Sequence, residues 1–123
     1  APRVLLTSVP EEQHVLGLLM VEALFALEGA ECIPLGTQMP LLEIGRAANA
    51  HRADIVALSF SGAFPHRQIP GLLQHLRQLL PQGTGLWVGG SGAARIEKMS
   101  GVALLATLDE AIAALSQWRT AHR

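Results

Sequence analysis

Asp54-Ile55-Val56-Ala57-Leu58-Ser59-Phe60 is the stretch that decides the fold. Its centre, Ile55 to Leu58, is apolar at consecutive positions, so an extended strand there has two faces to cover. A strand with one wet face would alternate apolar and polar residues instead. The run therefore predicts a buried parallel strand, and the flanking sequence should supply helices for both faces.

It does so on either side. Upstream, Arg3 to Val9 reads as a first strand, His14 to Glu28 as a helix stopped by Gly29, and Glu31 to Leu35 as a second strand. Pro40 to about His51 reads as a second helix, with Pro40 suited to its first turn. Downstream, a third helix starts near Pro65 or Pro70 and runs to Leu80, where Pro81 and Gly83 end it. Pro70 must then lie in the first turn or kink the helix. Gly85 to Val88 is the fourth strand, followed by Gly89-Gly90-Ser91-Gly92 and a short helix around Ala93 to Met99. Val102 to Ala106 is the fifth strand. Asp109 to about Thr120 is the last helix, with Ile112, Leu115 and Trp118 spaced for one buried face. Asp109 and Glu110 at its start and Arg119 to Arg123 at its end suit the helix dipole.

This alternation predicts an α/β fold of the flavodoxin-like (Rossmann-like) kind. Its sheet has five parallel strands in the order 2-1-3-4-5, with helices on both faces. No linker, repeat or low-complexity tract interrupts the chain, so residues 1–123 read as one domain.

Composition narrows the function classes. The chain has 123 residues, a net charge of −1 and 50% hydrophobic residues, enough for one self-sufficient core. No Lys/Arg run gives an electrostatic footprint for nucleic acid, so any action on DNA needs a contact from another segment. Leu16 to Leu27 is too short for a membrane span and is interrupted by Gly17 and Glu22. No signal peptide is evident, and a cytoplasmic location is expected. The single cysteine, Cys32, cannot pair within the chain and reads as a small buried hydrophobe.

In open parallel sheets ligands bind beyond the carboxyl ends of the strands, where the strand order reverses. Here that point lies between the first and third strands, with the fourth alongside. Their exits carry Glu12 and His14, then Ser59-Phe60-Ser61-Gly62, then Gly89-Gly90-Ser91-Gly92. Gly36-Thr37-Gln38-Met39-Pro40 after the second strand should form the rim. His14 can offer an imidazole nitrogen to a metal, with Glu12 placed to accept the proton on the other nitrogen. An exposed loop histidine beside acidic neighbours fits the same residues. Gly17 costs about 1 kcal/mol in a helix relative to alanine, which close approach of a ligand or tight helix–sheet packing would each justify. Ser59 and Ser61 could donate to a ligand or tie up loop backbone. Gly89 and Gly90 admit a bulky group or a tight turn.

Several alternatives fail. Gly90-Ser91-Gly92-Ala93-Ala94-Arg95 lacks a small final residue and follows the fourth strand, so it is no dinucleotide fingerprint. Ser59 stands where a response-regulator receiver needs its phosphoacceptor aspartate, and the first loop holds no flavodoxin-like phosphate cradle. His51, His66, His75 and His122 have no metal-ligand spacing and read as solvated.

Taken in order, the three exits resemble the cobalamin-binding domain family, whose signature is Asp-x-His-x-x-Gly, then Ser-x-Leu, then Gly-Gly. Glu12-Gln13-His14-Val15-Leu16-Gly17 is followed after residues 18 to 58 by Ser59-Phe60-Ser61, and after residues 62 to 88 by Gly89-Gly90. Both spacings match, and the resemblance covers essentially the whole chain. Two positions depart from the pattern: Glu12 keeps the carboxylate with a longer reach, and Ser61 makes the lining of the tail pocket more polar than leucine would.

The resemblance implies that His14 is the lower axial ligand to cobalt, displacing the cofactor's own dimethylbenzimidazole, with Glu12 as its hydrogen-bonding partner. It implies further that Ser59 bonds the displaced base, that Gly89 and Gly90 line the cleft for the nucleotide tail, and that Gly17 lets the tail lie against the first helix. The runs Leu18-Leu19-Met20-Val21-Glu22 and Leu35-Gly36-Thr37-Gln38-Met39-Pro40 look most like the C-terminal sensor domain of MerR-type transcriptional regulators. That likeness implies a non-enzymatic cobalamin sensor, with DNA contacted by a separate N-terminal domain and no membrane partner. It also implies a chain that starts after the helical cap, and it leaves homo-oligomer formation open. A corrinoid carrier subunit of a methyltransferase or mutase, and a degenerate oligomerisation domain, are the competing expectations.

Overall fold

The computed structural model describes residues 2–9 and 16–122. Strands β1 (Arg3–Thr7), β2 (Glu31–Gly36), β3 (Ile55–Ser59), β4 (Gly85–Gly89) and β5 (Ala103–Leu105) form one sheet in the order β2-β1-β3-β4-β5. Every neighbouring pair is parallel. Helices α1 (Leu16–Leu27), α2 (Leu41–Ala50), α3 (Ile69–Leu79) and α4 (Leu108–Ala121) complete the fold. The expected topology is the observed one.

Alternation along the strands divides the core. Leu5, Val56, Leu58, Leu86 and Val88 point to one face and pack with Ile44 and Ala48 of α2 and Ile69, Leu73 and Leu76 of α3. Val4, Leu6, Ile55, Ala57 and Trp87 point to the other and meet Phe25 of α1 and Ala111 and Leu115 of α4. Ile55, Val56, Ala57 and Leu58 are all buried, which is why this strand carries apolar residues without a break.

Several ends have identifiable causes. α1 closes on Gly29 at φ +86°, with Gly29 N–H bonding Ala26 O at 3.0 Å and Ala30 N–H bonding Phe25 O at 2.9 Å. This pair of bonds satisfies the last carbonyls of the helix. A 3-10 turn at His66–Gln68 precedes α3, and Pro70 sits in the first turn of α3, where its missing N–H costs nothing. β1 ends at Thr7, earlier than the apolar run suggests. Its register with β2 shifts between Leu6 and Thr7, and Thr7 and Ser8 turn to the loop after β2. Thr7 Oγ1 donates to Gly36 O at 2.9 Å, and Ser8 accepts from Gln38 N–H at 3.0 Å and Met39 N–H at 2.8 Å.

The segment after β4 differs from the expected helix at Ala93–Met99. The chain forms a 3-10 turn at Ser91–Arg95 and is extended at Ile96. Gly92 N–H is bonded to Phe60 O at 3.0 Å, which ties the segment to the exit of β3 instead of freeing it to wind. At the start of α4, Thr107 Oγ1 accepts from Glu110 N–H at 3.1 Å while Glu110 Oε2 accepts from Ala106 N–H at 3.0 Å. Thr107→Ala is expected to lower stability by about 1 kcal/mol, read by thermal unfolding.

Candidate functional site

The exits of β1, β3 and β4 are neighbours. Ser59 and Gly89 are register partners at the ends of β3 and β4, and Gly89 in turn pairs with Leu105 of β5. On this face α1 crosses beside β1 and β3 while α4 lies toward β5, and the two helices leave a cleft of about 230 Å³ between them. Its floor is one row of register partners, Leu6, Ala57 and Trp87. Val21 and Phe25 form the α1 wall, and Leu108 and Ala111 the α4 wall. Phe25 meets Trp87 edge to face, with ring centroids 6.0 Å apart at 83°, so the two rings hold one another in place. Ser59, Ser91 and Thr107 supply hydroxyl groups at or beyond the strand ends, and Trp87 adds its indole N–H from the floor.

Two glycines shape the mouth. Gly89 shares the face of Trp87, so a side chain there would enter the cleft, and its Cβ would stand 3.3 Å from Leu105 O. Gly90 has φ +92° and ψ 167°, a conformation that L side chains rarely adopt, and the chain turns there between β4 and the cleft rim. A flat, neutral aromatic group suits this cleft: its described lining has no charged residue, and its volume fits one part of a large ligand rather than the whole.

The sequence-derived site residues fall in different places. Ser59, Gly89 and Gly90 line the cleft together. Gly17 is the second residue of α1, whose later turns supply Val21 and Phe25. Ser61 lies past the end of β3 and outside the described cleft lining, with its carbonyl accepting from Phe64 N–H at 3.2 Å. Glu12 and His14 lie outside the described residues. Sequence reasoning passed over Trp87, although the row Gly85, Trp87, Gly89 on one strand face marks a large ring between two gaps. It also passed over Thr107, although Thr107-Leu108-Asp109-Glu110 carries the spacing of a helix cap.

Outside the cleft, His51, His66, His75 and His122 are exposed, as their spacing suggested. Among the described residues no three His, Cys, Asp or Glu side chains are grouped to hold a metal ion. Cys32 is half-buried, with Sγ donating to Glu22 O at 3.7 Å. Burial, aided by the Glu22 charge, pushes its thiol above the usual range, which disfavours the reactive thiolate. No described helix is long and apolar enough to cross a membrane.

Comparison with known proteins bears on the same region. The family model of the B12 binding domain matches residues 2–115. Over 88 residues the chain is 38% identical to the HTH-type transcriptional repressor CarH of Myxococcus xanthus, covering 72% of this chain and 29% of the repressor. The chain thus spans under a third of that relative's length. The crystal structure of a cobalamin-binding protein from Desulfitobacterium hafniense DCB-2 superposes with a TM-score of 0.74 at 16% identity. The match takes in 95% of this chain and 58% of that one, and it bears on the fold alone.

Proposed function

The chain belongs to the B12 binding domain family, and from that premise we propose that residues 1–123 form the cobalamin-binding sensor domain of a transcriptional regulator. The observation that carries this reading is the apolar cleft between α1 and α4, which opens at Ser59 and Gly89. It has the shape and polarity for the displaced dimethylbenzimidazole, and the bare Gly89 leaves room at its mouth for the rest of the tail. Ser59 donates to the base nitrogen that no longer holds cobalt. Gly90 lets the chain pass under the tail, and Gly17 brings α1 close to it.

In this reading His14 would hold the cobalt through one imidazole nitrogen, and Glu12 would fix its ring by accepting the second N–H. Both stand in the sequence between β1 and α1, and β1 pairs with β3, the strand that ends in Ser59. Ser61 belongs to the same proposed set, from the loop past β3 rather than from the cleft wall. Bound cobalamin supplies a cobalt centre with an exchangeable upper ligand. The domain holds that centre and excludes water from the displaced base. The similarity to CarH supports a regulatory, non-enzymatic, cytoplasmic role with DNA contacted by a different domain.

The purified domain mixed with hydroxocobalamin is expected to retain colour through gel filtration and to shift the visible spectrum relative to the free cofactor. A colourless protein peak from a folded domain would overturn the proposal.

A further inference from the structure

We propose that the cleft selects among corrinoids by their lower base, taking those with a benzimidazole and discriminating against those with a purine. The inference rests on the reading that the cleft receives the tail, and it goes further by assigning the discrimination to the cleft's floor.

The floor offers a polar ring no acceptor and at most one donor, the indole N–H of Trp87. Leu6, Ala57 and Trp87 lie in mid-strand, where their backbone groups belong to the parallel ladder. The indole nitrogen of Trp87 lies on the side of Gly85, 3.3 Å from where a Cβ at that glycine would stand. That position is toward the strand's beginning, so the one polar atom of the ring sits at the deep end, away from the mouth. Phe25 closes the same end from α1.

A dimethylbenzimidazole enters such a cleft with its two methyl groups and benzo ring leading, while its free nitrogen stays at the mouth near Ser59. A purine instead carries ring nitrogens, and in adenine an amino group, on the leading ring. Those groups lose water at the floor, where the amino group finds no acceptor and several ring nitrogens compete for at most one indole N–H. Apolar pockets reject added polar atoms by modest factors, since the ligand still fits. A preference of about tenfold to a hundredfold is therefore expected.

The test compares dissociation constants, by equilibrium dialysis, for the aquo forms of cobalamin, adeninylcobamide and the tail-less cobinamide. Cobalamin is expected to bind tightest, with adeninylcobamide weaker by about tenfold or more. In Ala57→Ser, which adds a hydroxyl to the floor, the ratio is expected to shrink while circular dichroism reports an unchanged fold. Equal binding of cobalamin and adeninylcobamide would overturn the selectivity and leave the tail-binding reading standing. Cobinamide binding as tightly as cobalamin would overturn the tail-binding reading itself. An undiminished ratio in A57S would remove the floor as its source.

Discussion

Gly90→Ala is expected to be the most destabilising small substitution in the domain, lowering stability by about 3 kcal/mol or more. Two effects add. At φ +92° and ψ 167° the backbone occupies a region open essentially to glycine alone, which costs a side chain on the order of 1–3 kcal/mol. A Cβ would also overlap the carbonyl oxygen of Phe60 and lie 3.0 Å from its carbon. Both neighbours are backbone, so neither can swing aside. Relief requires the exits of β3 and β4 to separate, and Phe60 N–H is bonded to Gly89 O at 3.0 Å across that gap. The melting temperature is expected to fall by roughly 10 °C or more, read by circular dichroism. Gly71→Ala is the control: it lies in α3 with open space around its Cβ, and stability there should hold or rise by about 0.5 kcal/mol. A Gly90→Ala domain that melts like the Gly71→Ala control would show that the turn tolerates a side chain.

His14→Ala is expected to have the largest effect on the ligand. Under the proposed function it removes the only bond from protein to cobalt, and affinity should fall by about tenfold or more, since losing even an orienting partner costs a metal site about that much. The visible spectrum should move away from that of the native complex, and thermal stability of the apo-domain should hold. A second readout separates ligation from packing. In the cobalt(II) complex, labelling the protein with heavy nitrogen should alter the electron-spin hyperfine pattern, because the nitrogen held to cobalt would come from the protein. An unaltered pattern would mean that no protein nitrogen holds the metal.

The two substitutions probe opposite kinds of evidence. His14 was singled out from residue types and spacing, and it lies outside the described residues. Gly90 drew attention in the sequence only as half of a glycine pair with two uses. Its positive φ and the nearness of Phe60 decide that the turn itself demands glycine. Ser59 and Ser61 show the same division. They looked equivalent from their spacing, but β3 ends at Ser59, so only Ser59 keeps the strand's alternation and faces the cleft.

The amino-acid sequence by itself determined the order of the five strands and four α-helices, though not the 3-10 turn that replaces the expected helix after β4. The doubly apolar Ile55–Leu58, the glycine and proline stops and the helical spacings are local signals, set by neighbours a few residues away. It also placed Ser59 beside Gly89, because strand order follows from the alternation of strands and helices. Only the tertiary structure decided that a cleft exists and where its floor lies. The cleft is the space left when α1 and α4 settle on one face of the sheet, with Ala57 too small to fill it and Phe25 and Trp87 large enough to close its end. Such a volume depends on the packing of side chains far apart in the chain, and no periodicity along one segment encodes it.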